Sequence, residues 1–168
     1  MASGAPFAAT RRGGGQEQGR RPGTENAPAA AGFAAAFDLD VHAESARSLA
    51  LRDRFETQLR HRHADAVIFG EGAQRLPNTT LFALPGAPAE LALIALDLEG
   101  VALSSGAACS SGKVKSSRVL AAMGVSPTLA KSALRASFGW ASSEGDVDRL
   151  LAALDKVRAR LGALEGVS

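Results

Sequence analysis

At 168 residues, with 46% apolar and 21% charged side chains, the chain has the composition of an ordinary folded domain; collagen, low-complexity disorder and a small disulfide scaffold are excluded. Nineteen Lys and Arg against seventeen Asp and Glu leave a formal charge of +2, too small to demand a nucleic-acid or anionic-membrane partner. Its single cysteine, Cys109, forbids an internal disulfide and suits a reducing compartment.

Residues 1–26 hold six glycines and the pairs Arg11-Arg12 and Arg20-Arg21 but no apolar period, so they read as a loop. Met1 to Arg12 lack the charged start and apolar run of a secretory signal, and no apolar stretch approaches the ~20 residues of a membrane span; a cytoplasmic protein is expected. From Pro28 to Arg62 apolar residues recur at three or four, first Ala29, Ala30, Phe33 and Phe37, then Leu51, Phe55 and Leu59. This predicts two helices, or one bent near Asp38 to Val41. Strands are predicted at Ala66 to Phe69 and Thr79 to Leu84, the second closed by Pro85-Gly86.

Leu91, Ile94, Ala95 and Leu98 fit i, i+3, i+4, i+7 and predict a helix ended by Gly100. A third strand follows at Val101 to Leu103, then a small-residue loop from Ser104 to Gly112. Short helices are expected at Ser117 to Met123 and after Ser126-Pro127. Leu134, Ala136 and Phe138 alternate with Arg135 and Ser137, as in a half-buried strand with Arg135 on the outer face. The last helix opens on Ser143 and Asp146, and Val147, Leu150, Leu151, Leu154, Val157 and Leu161 make one apolar stripe. The expected fold is α/β, with helices packed on one face of a small mixed sheet.

Two reactive groups stand out. Cys109 sits among glycines, serines and alanines with Lys113 and Lys115 close behind, a setting that suits an exposed thiolate nucleophile and also a small apolar filler. Arg135 can present two parallel N–H groups to a carboxylate, although solvated arginines are common on strands. The stretch from Gly13 to Asn26 offers backbone amides, arginines and a hydroxyl suited to a phosphate, or else a tail. His42, His61 and His63 lack partners at ligand spacing and read as solvated, so no metal is expected.

The runs Arg75-Leu76-Pro77-Asn78-Thr79, Ser104-Ser105-Gly106-Ala107-Ala108-Cys109-Ser110-Ser111-Gly112 and Leu134-Arg135-Ala136-Ser137-Phe138-Gly139, with the upstream Gly13 to Asn26, resemble the C-terminal part of pyridoxal-phosphate-dependent cysteine desulfurases of the class V aminotransferase family. The Ser-Ser-Gly-x-x-Cys form is similar to the branch serving iron–sulfur assembly and nitrogen fixation. The resemblance implies the small domain of a fold-type-I transferase. It implies a large-domain remnant at 1–26 carrying the glycine-rich cofactor-phosphate loop, a helical connection at 27–62 and the small domain at 63–168.

By the same resemblance the enzymes convert L-cysteine to L-alanine and leave a persulfide on the protein. Cys109 would be the nucleophile and persulfide carrier, Arg135 the anchor of the substrate carboxylate, and Thr24 the residue that reaches the cofactor phosphate of the other subunit in a homodimer. A sulfur acceptor or iron–sulfur scaffold protein is the implied partner, and no nucleic acid or membrane. The family's cofactor lysine follows a Ser-x-His pattern, which none of Lys113, Lys115, Lys131 and Lys156 does. The chain alone is therefore expected to be inactive. Alternatives are a non-catalytic truncated paralogue that dimerises with or modulates a complete desulfurase, or another class V relative such as selenocysteine lyase. An apolar surface is also expected to be exposed where the family's small domain packs on its large one.

Overall fold

The computed structural model describes residues 8–38, 41–106 and 117–165. It divides into two compact units, Met1–Asp40 and Val41–Ser168, so the stretch 27–62 expected as a connection is shared between them.

In the first unit a four-residue turn, α1 (Gln16–Gly19), is followed by helix α2 (Ala27–Phe37). Pro28 pre-sets the first turn of α2, and the Asn26 side chain accepts a hydrogen bond from Ala29 N at 3.0 Å. Phe33 and Phe37 stack edge to face at 5.1 Å, and no residue of α2 is buried.

The second unit runs α3 (Val41–Arg62), β1 (Val67–Ile68), β2 (Thr79–Ala83), α4 (Ala89–Leu98), β3 (Ser104–Ser105), α5 (Arg118–Ala122), α6 (Pro127–Ala130), β4 (Ala133–Ser137) and α7 (Glu144–Glu165). The strands form one sheet in the order β1-β2-β4-β3. The α/β class holds, but every strand pair is antiparallel where a mixed sheet was expected. The reason is topological: β2 and β3 run the same way, joined by a crossover through α4, but β4 lies between them in the opposite direction, so every hydrogen-bonded neighbour is antiparallel.

Period-two alternation gives the sheet two different faces. On one, Phe82, Leu134, Ala136 and Phe138 meet Leu51, Phe55 and Leu59 of α3, Ala92 and Leu96 of α4, and Val147, Leu151 and Leu154 of α7. Phe55 lies 5.2 Å from Phe82 and 6.2 Å from Phe138, ring centre to ring centre. The amphipathic stripe of α7 thus buries as its spacing requires, behind a reciprocal cap: Ser143 N donates to Asp146 Oδ2 at 2.9 Å and Asp146 N to Ser143 Oγ at 3.3 Å.

The opposite face is partly covered as well, by Leu120 of α5 and by Val125, Leu129 and Ala130 at and before α6, against Ala83, Ala133 and Leu81. Helices therefore lie on both faces, not one. Serine caps start both short helices, Ser117 accepting from Leu120 N and Ser126 from Leu129 N.

Two expectations fall differently. Of the apolar set that predicted α4, Ala95 packs against the core but the large residues point outward: Leu91, Ile94 and Leu98 are 50%, 63% and 79% exposed, while Ala89, Ala92 and Leu96 are buried. Small side chains face the core because they let the helix backbone approach its neighbours closely. The stretch Val101 to Leu103 is not a strand; pairing begins at Ser104. Gly100 does end α4 with φ 75°, and Val101 N donates back to Leu96 O at 2.9 Å, so the chain is still leaving its helix cap at Val101.

Candidate functional site

β4 carries Arg135 on the less covered face of the sheet, between Leu81 of β2 and Ser104 of β3. Its neighbours on its own strand, Leu134 and Ala136, are buried on the other side, so the backbone beneath the guanidinium is fixed by the core. Among the described residues ten arginines have a carboxylate within 4.0 Å. Arg135 is exposed and has no ion pair or hydrogen bond among the described residues of the second unit, where Arg118 is the one other arginine without a carboxylate.

The same face divides into rows. Ala83, Ala133 and Gly106 make a small-residue row beneath Leu120 of α5. Gly106 N donates to Ala133 O at 2.8 Å, and a Cβ on Gly106 would stand 2.6 Å from Ala133 Cβ and 3.3 Å from its carbonyl. Only glycine fits that approach. Leu81, Arg135 and Ser104 form the next row, then Thr79 and Ser137.

Cys109, with Lys113 and Lys115, lies outside the described residues. The described chain stops at Gly106 and resumes at Ser117. Both ends are held at the small-residue row, Gly106 by Ala133 and Ser117 through the α5 helix it caps.

Thr24 is described within the first unit. It is exposed, and its carbonyl accepts from Arg21 Nη2 at 3.0 Å. Arg21 organises this loop, with Nε on Glu17 at 2.6 Å and Nη1 on the carbonyls of Pro22 and Gly23. A Cβ on Gly13 would meet Pro22 Cβ at 2.2 Å, so the loop closes on itself there. Glu17 and Gln18 take positive φ, 49° and 61°, at a cost of about 1 kcal/mol each for residues other than glycine. The hydroxyl of Thr24 has no hydrogen bond among the described residues, which fits one donor to a phosphate oxygen.

Sequence reasoning missed a second set of polar residues. Arg75 donates twice to Glu56, at 2.7 and 2.9 Å, and Arg52, 3.9 Å from Glu56, donates to Leu76 O at 2.8 Å. Arg52 and Glu56 are buried. Burial pushes the Glu56 carboxyl up, but the hydrogen bonds from Arg75, the nearby Thr80 hydroxyl and the charges of Arg75 and Arg52 outweigh it and hold its pKa below 4.5. Hydrogen bonding to Glu56 raises that of Arg75. The Thr80 hydroxyl faces the carboxylate without completing full hydrogen-bond geometry. The run from Arg75 to Thr79 is thereby clamped to α3 and led into β2, where Asn78 O accepts from Phe138 N at 2.8 Å. The signal was there: Arg52 and Glu56 are four residues apart, each directly after a stripe residue, Leu51 and Phe55.

A third clamp follows β4. Arg47 of α3 donates to the carbonyls of Gly139, Trp140 and Ser142 and pairs with Glu44, fixing the turn that leaves the strand. Trp140 at its tip is 84% exposed. Of the histidines, His63 departs from expectation: it is buried, with Nε2 3.0 Å from Asp155 Oδ1, because the end of α3 packs on α7. Among the described residues no group of His, Cys, Asp and Glu could hold a metal ion, and no helix is long and apolar enough to cross a membrane.

Where the β3–β4 ladder stops, a cleft of about 190 Å³ opens between Val101 to Leu103 and Ala136 to Phe138, with Asp146 and Arg149 at its rim. Arg135 is not in its walls. The Arg135 guanidinium lies on the open sheet face.

Residues 9–150 match the family model described as Aminotransferase class-V. A cysteine desulfurase of Gluconacetobacter diazotrophicus is 42% identical over 153 residues, covering 89% of this chain and 38% of the relative. One from Cereibacter sphaeroides is 38% identical over 164 residues, covering 98% and 42%. The crystal structure of a NifS-like protein from Rickettsia africae superposes with a TM-score of 0.74 at 32% identity, over 90% of this chain and 40% of that one. The chain thus spans about two fifths of the length of the relatives it matches.

Proposed function

Because this chain belongs to the class V aminotransferase family, we propose that it is the substrate-anchoring and sulfur-carrying part of a cysteine desulfurase, one that converts L-cysteine to L-alanine and keeps the sulfur as a persulfide on Cys109. One observation carries the reading. Where most guanidiniums of the second unit face a carboxylate, Arg135 is held on a rigid strand, exposed and unpaired among the described residues. A fork so placed is open to the carboxylate of an amino acid.

In this reading Arg135 binds both carboxylate oxygens and fixes the side-chain sulfur relative to the sheet. Cys109 follows Gly106 by three residues, so covalent geometry keeps its Cα within about 11 Å of that anchor. The thiolate of Cys109 attacks the substrate sulfur: an S–S bond forms, the carbon–sulfur bond breaks, and the electron pair stays with the carbon skeleton. The proton from the Cys109 thiol ends on the new methyl group of alanine, so no outside oxidant or reductant is needed. Pyridoxal phosphate, when bound, supplies the electron sink for that cleavage. Thr24 offers its free hydroxyl to the cofactor phosphate, and the loop that Arg21 ties together holds it in place.

None of the four lysines follows a histidine, so the 168-residue chain on its own turns over no L-cysteine. Sulfide and alanine production from L-cysteine, measured with added pyridoxal phosphate, checks this; turnover lost in Cys109→Ser would overturn it. Joined to the preceding portion of a relative, the chain is expected to acquire a persulfide on Cys109, read by mass spectrometry, and Arg135→Gln is expected to raise KM for L-cysteine at least tenfold. An unlabelled Cys109 under turnover sinks the reading. The persulfide's onward acceptor, an iron–sulfur scaffold or another thiol protein, belongs to the same proposal.

A further inference from the structure

The row that holds Arg135 contains one more polar side chain. Ser104 is its direct cross-strand partner on β3, and residues directly opposite in an antiparallel pair project to the same face with Cβ atoms about 5 Å apart. Both are exposed, and the Ser104 hydroxyl has no hydrogen bond among the described residues. On the other side of Arg135 stands Leu81, half buried against the α5 and α6 cluster. The guanidinium is thus flanked by a bulky apolar group on one side and by a short hydroxyl on the other. The serine side carries the shorter and more exposed of the two flanking side chains.

We propose that Ser104 is a second binding residue for the substrate carboxylate, giving the anion held by Arg135 a further hydrogen bond and setting its orientation. This rests on the reading of Arg135 above. A carboxylate has about four acceptor positions, and a bidentate guanidinium fills two; a hydroxyl alongside donates to a third. The register that makes the pair is fixed by the neighbouring row, where the Gly106 N–H bonds Ala133 O at 2.8 Å and a Cβ at Gly106 would come within 2.6 Å of Ala133 Cβ. A slip of β3 by one residue would send Ser104 to the opposite face. Ser137, two residues along β4 on the same face, is about 7 Å from Arg135 along the strand; it pairs with Thr79 on the β2 side and lines the cleft beyond the end of the β3 ladder.

The test uses the chain as it is, labelled with nitrogen-15, with L-alanine as probe and L-alaninamide, which lacks the carboxylate, as control. L-alanine is expected to shift the Arg135 Nε–Hε signal and the Ser104 amide saturably, and the amide control to leave them unmoved. Ser104→Ala should weaken binding about 3- to 10-fold, the effect of one hydrogen bond. Ser104→Thr should keep the wild-type affinity, Ser137→Ala should change nothing, and Arg135→Gln should abolish the response. Should Ser104→Ala disturb the sheet, Ser104→Cys, close in shape but a weak donor, makes the same comparison. Wild-type affinity in the alanine or cysteine variant, with binding lost in Arg135→Gln, overturns the role of Ser104 and leaves that of Arg135 standing. Binding that survives Arg135→Gln, or a wild-type chain that L-alanine does not shift, overturns both. A loss in Ser137→Ala equal to that in Ser104→Ala overturns the assignment to Ser104.

Discussion

The two faces of the four-stranded sheet are made from the same strands, yet one holds Phe82, Leu134, Ala136 and Phe138 against three helices and the other holds Arg135, Ser104 and Ser137 largely in the open. Alternation along β4 separates the two tasks residue by residue. The packed face fixes the backbone, and the open one presents chemistry on it. A substitution on one face should therefore leave the business of the other intact.

The largest expected effect is on the packed side. Phe82→Ala removes a ring with no exposed surface that touches Phe55 and should lower stability by about 4 kcal/mol, read as a drop in the urea midpoint followed by circular dichroism. Arg135→Gln, on the exposed face, should shift the same midpoint by less than about 0.5 kcal/mol. A large loss there would mean the guanidinium is structural and would break the distinction between the faces.

Next comes the clamp behind β2. Glu56→Gln leaves Arg75 and the buried Arg52 without their shared carboxylate and should cost about 3 kcal/mol at neutral pH. Because the folded-state pKa of Glu56 lies below 4.5, its contribution is fully present above that value and is lost as pH falls through the lower folded value. Stability of the wild type should therefore decline in that acid window, and the E56Q variant should decline less. Equal acid profiles for the two proteins would remove Glu56 from the account.

A smaller effect tests the seam between the rows. Gly106→Ala puts a Cβ 2.6 Å from Ala133 Cβ and should cost about 1–3 kcal/mol by overpacking. The double variant with Ala133→Gly removes that contact and should recover most of the loss, beyond the few tenths to 1 kcal/mol that a glycine in a strand costs by itself. Failure to recover would place the strain elsewhere.

Much of this arrangement was legible from spacing. The stripe of α7 from Val147 to Leu161 and the alternation around Arg135 depend on local periodicity, and both appear where the pattern puts them. The apolar face of α4 was not legible. Leu91, Ile94 and Leu98 satisfy the helical period as well as Ala92 and Leu96 do, and which side meets the core is decided by contacts distant in sequence. Sheet direction and the coverage of both faces are tertiary facts of the same kind. The Arg75 to Thr79 run was recognisable as a motif, but its role as an anchor for α3 needed Glu56, nineteen residues away. Nor does local sequence say that Ser104 stands beside Arg135, since β3 starts three residues later than its apolar text suggested.

The turn that Arg47 holds carries the chain's single tryptophan, Trp140, on its outer tip. An indole so open to water in the folded protein emits as a solvated fluorophore before any unfolding begins, and iodide should quench it freely. Intrinsic emission is thus a poor gauge of denaturation here, yet a sensitive optical probe, five residues from Arg135 along the chain, of anything that settles over this end of the sheet.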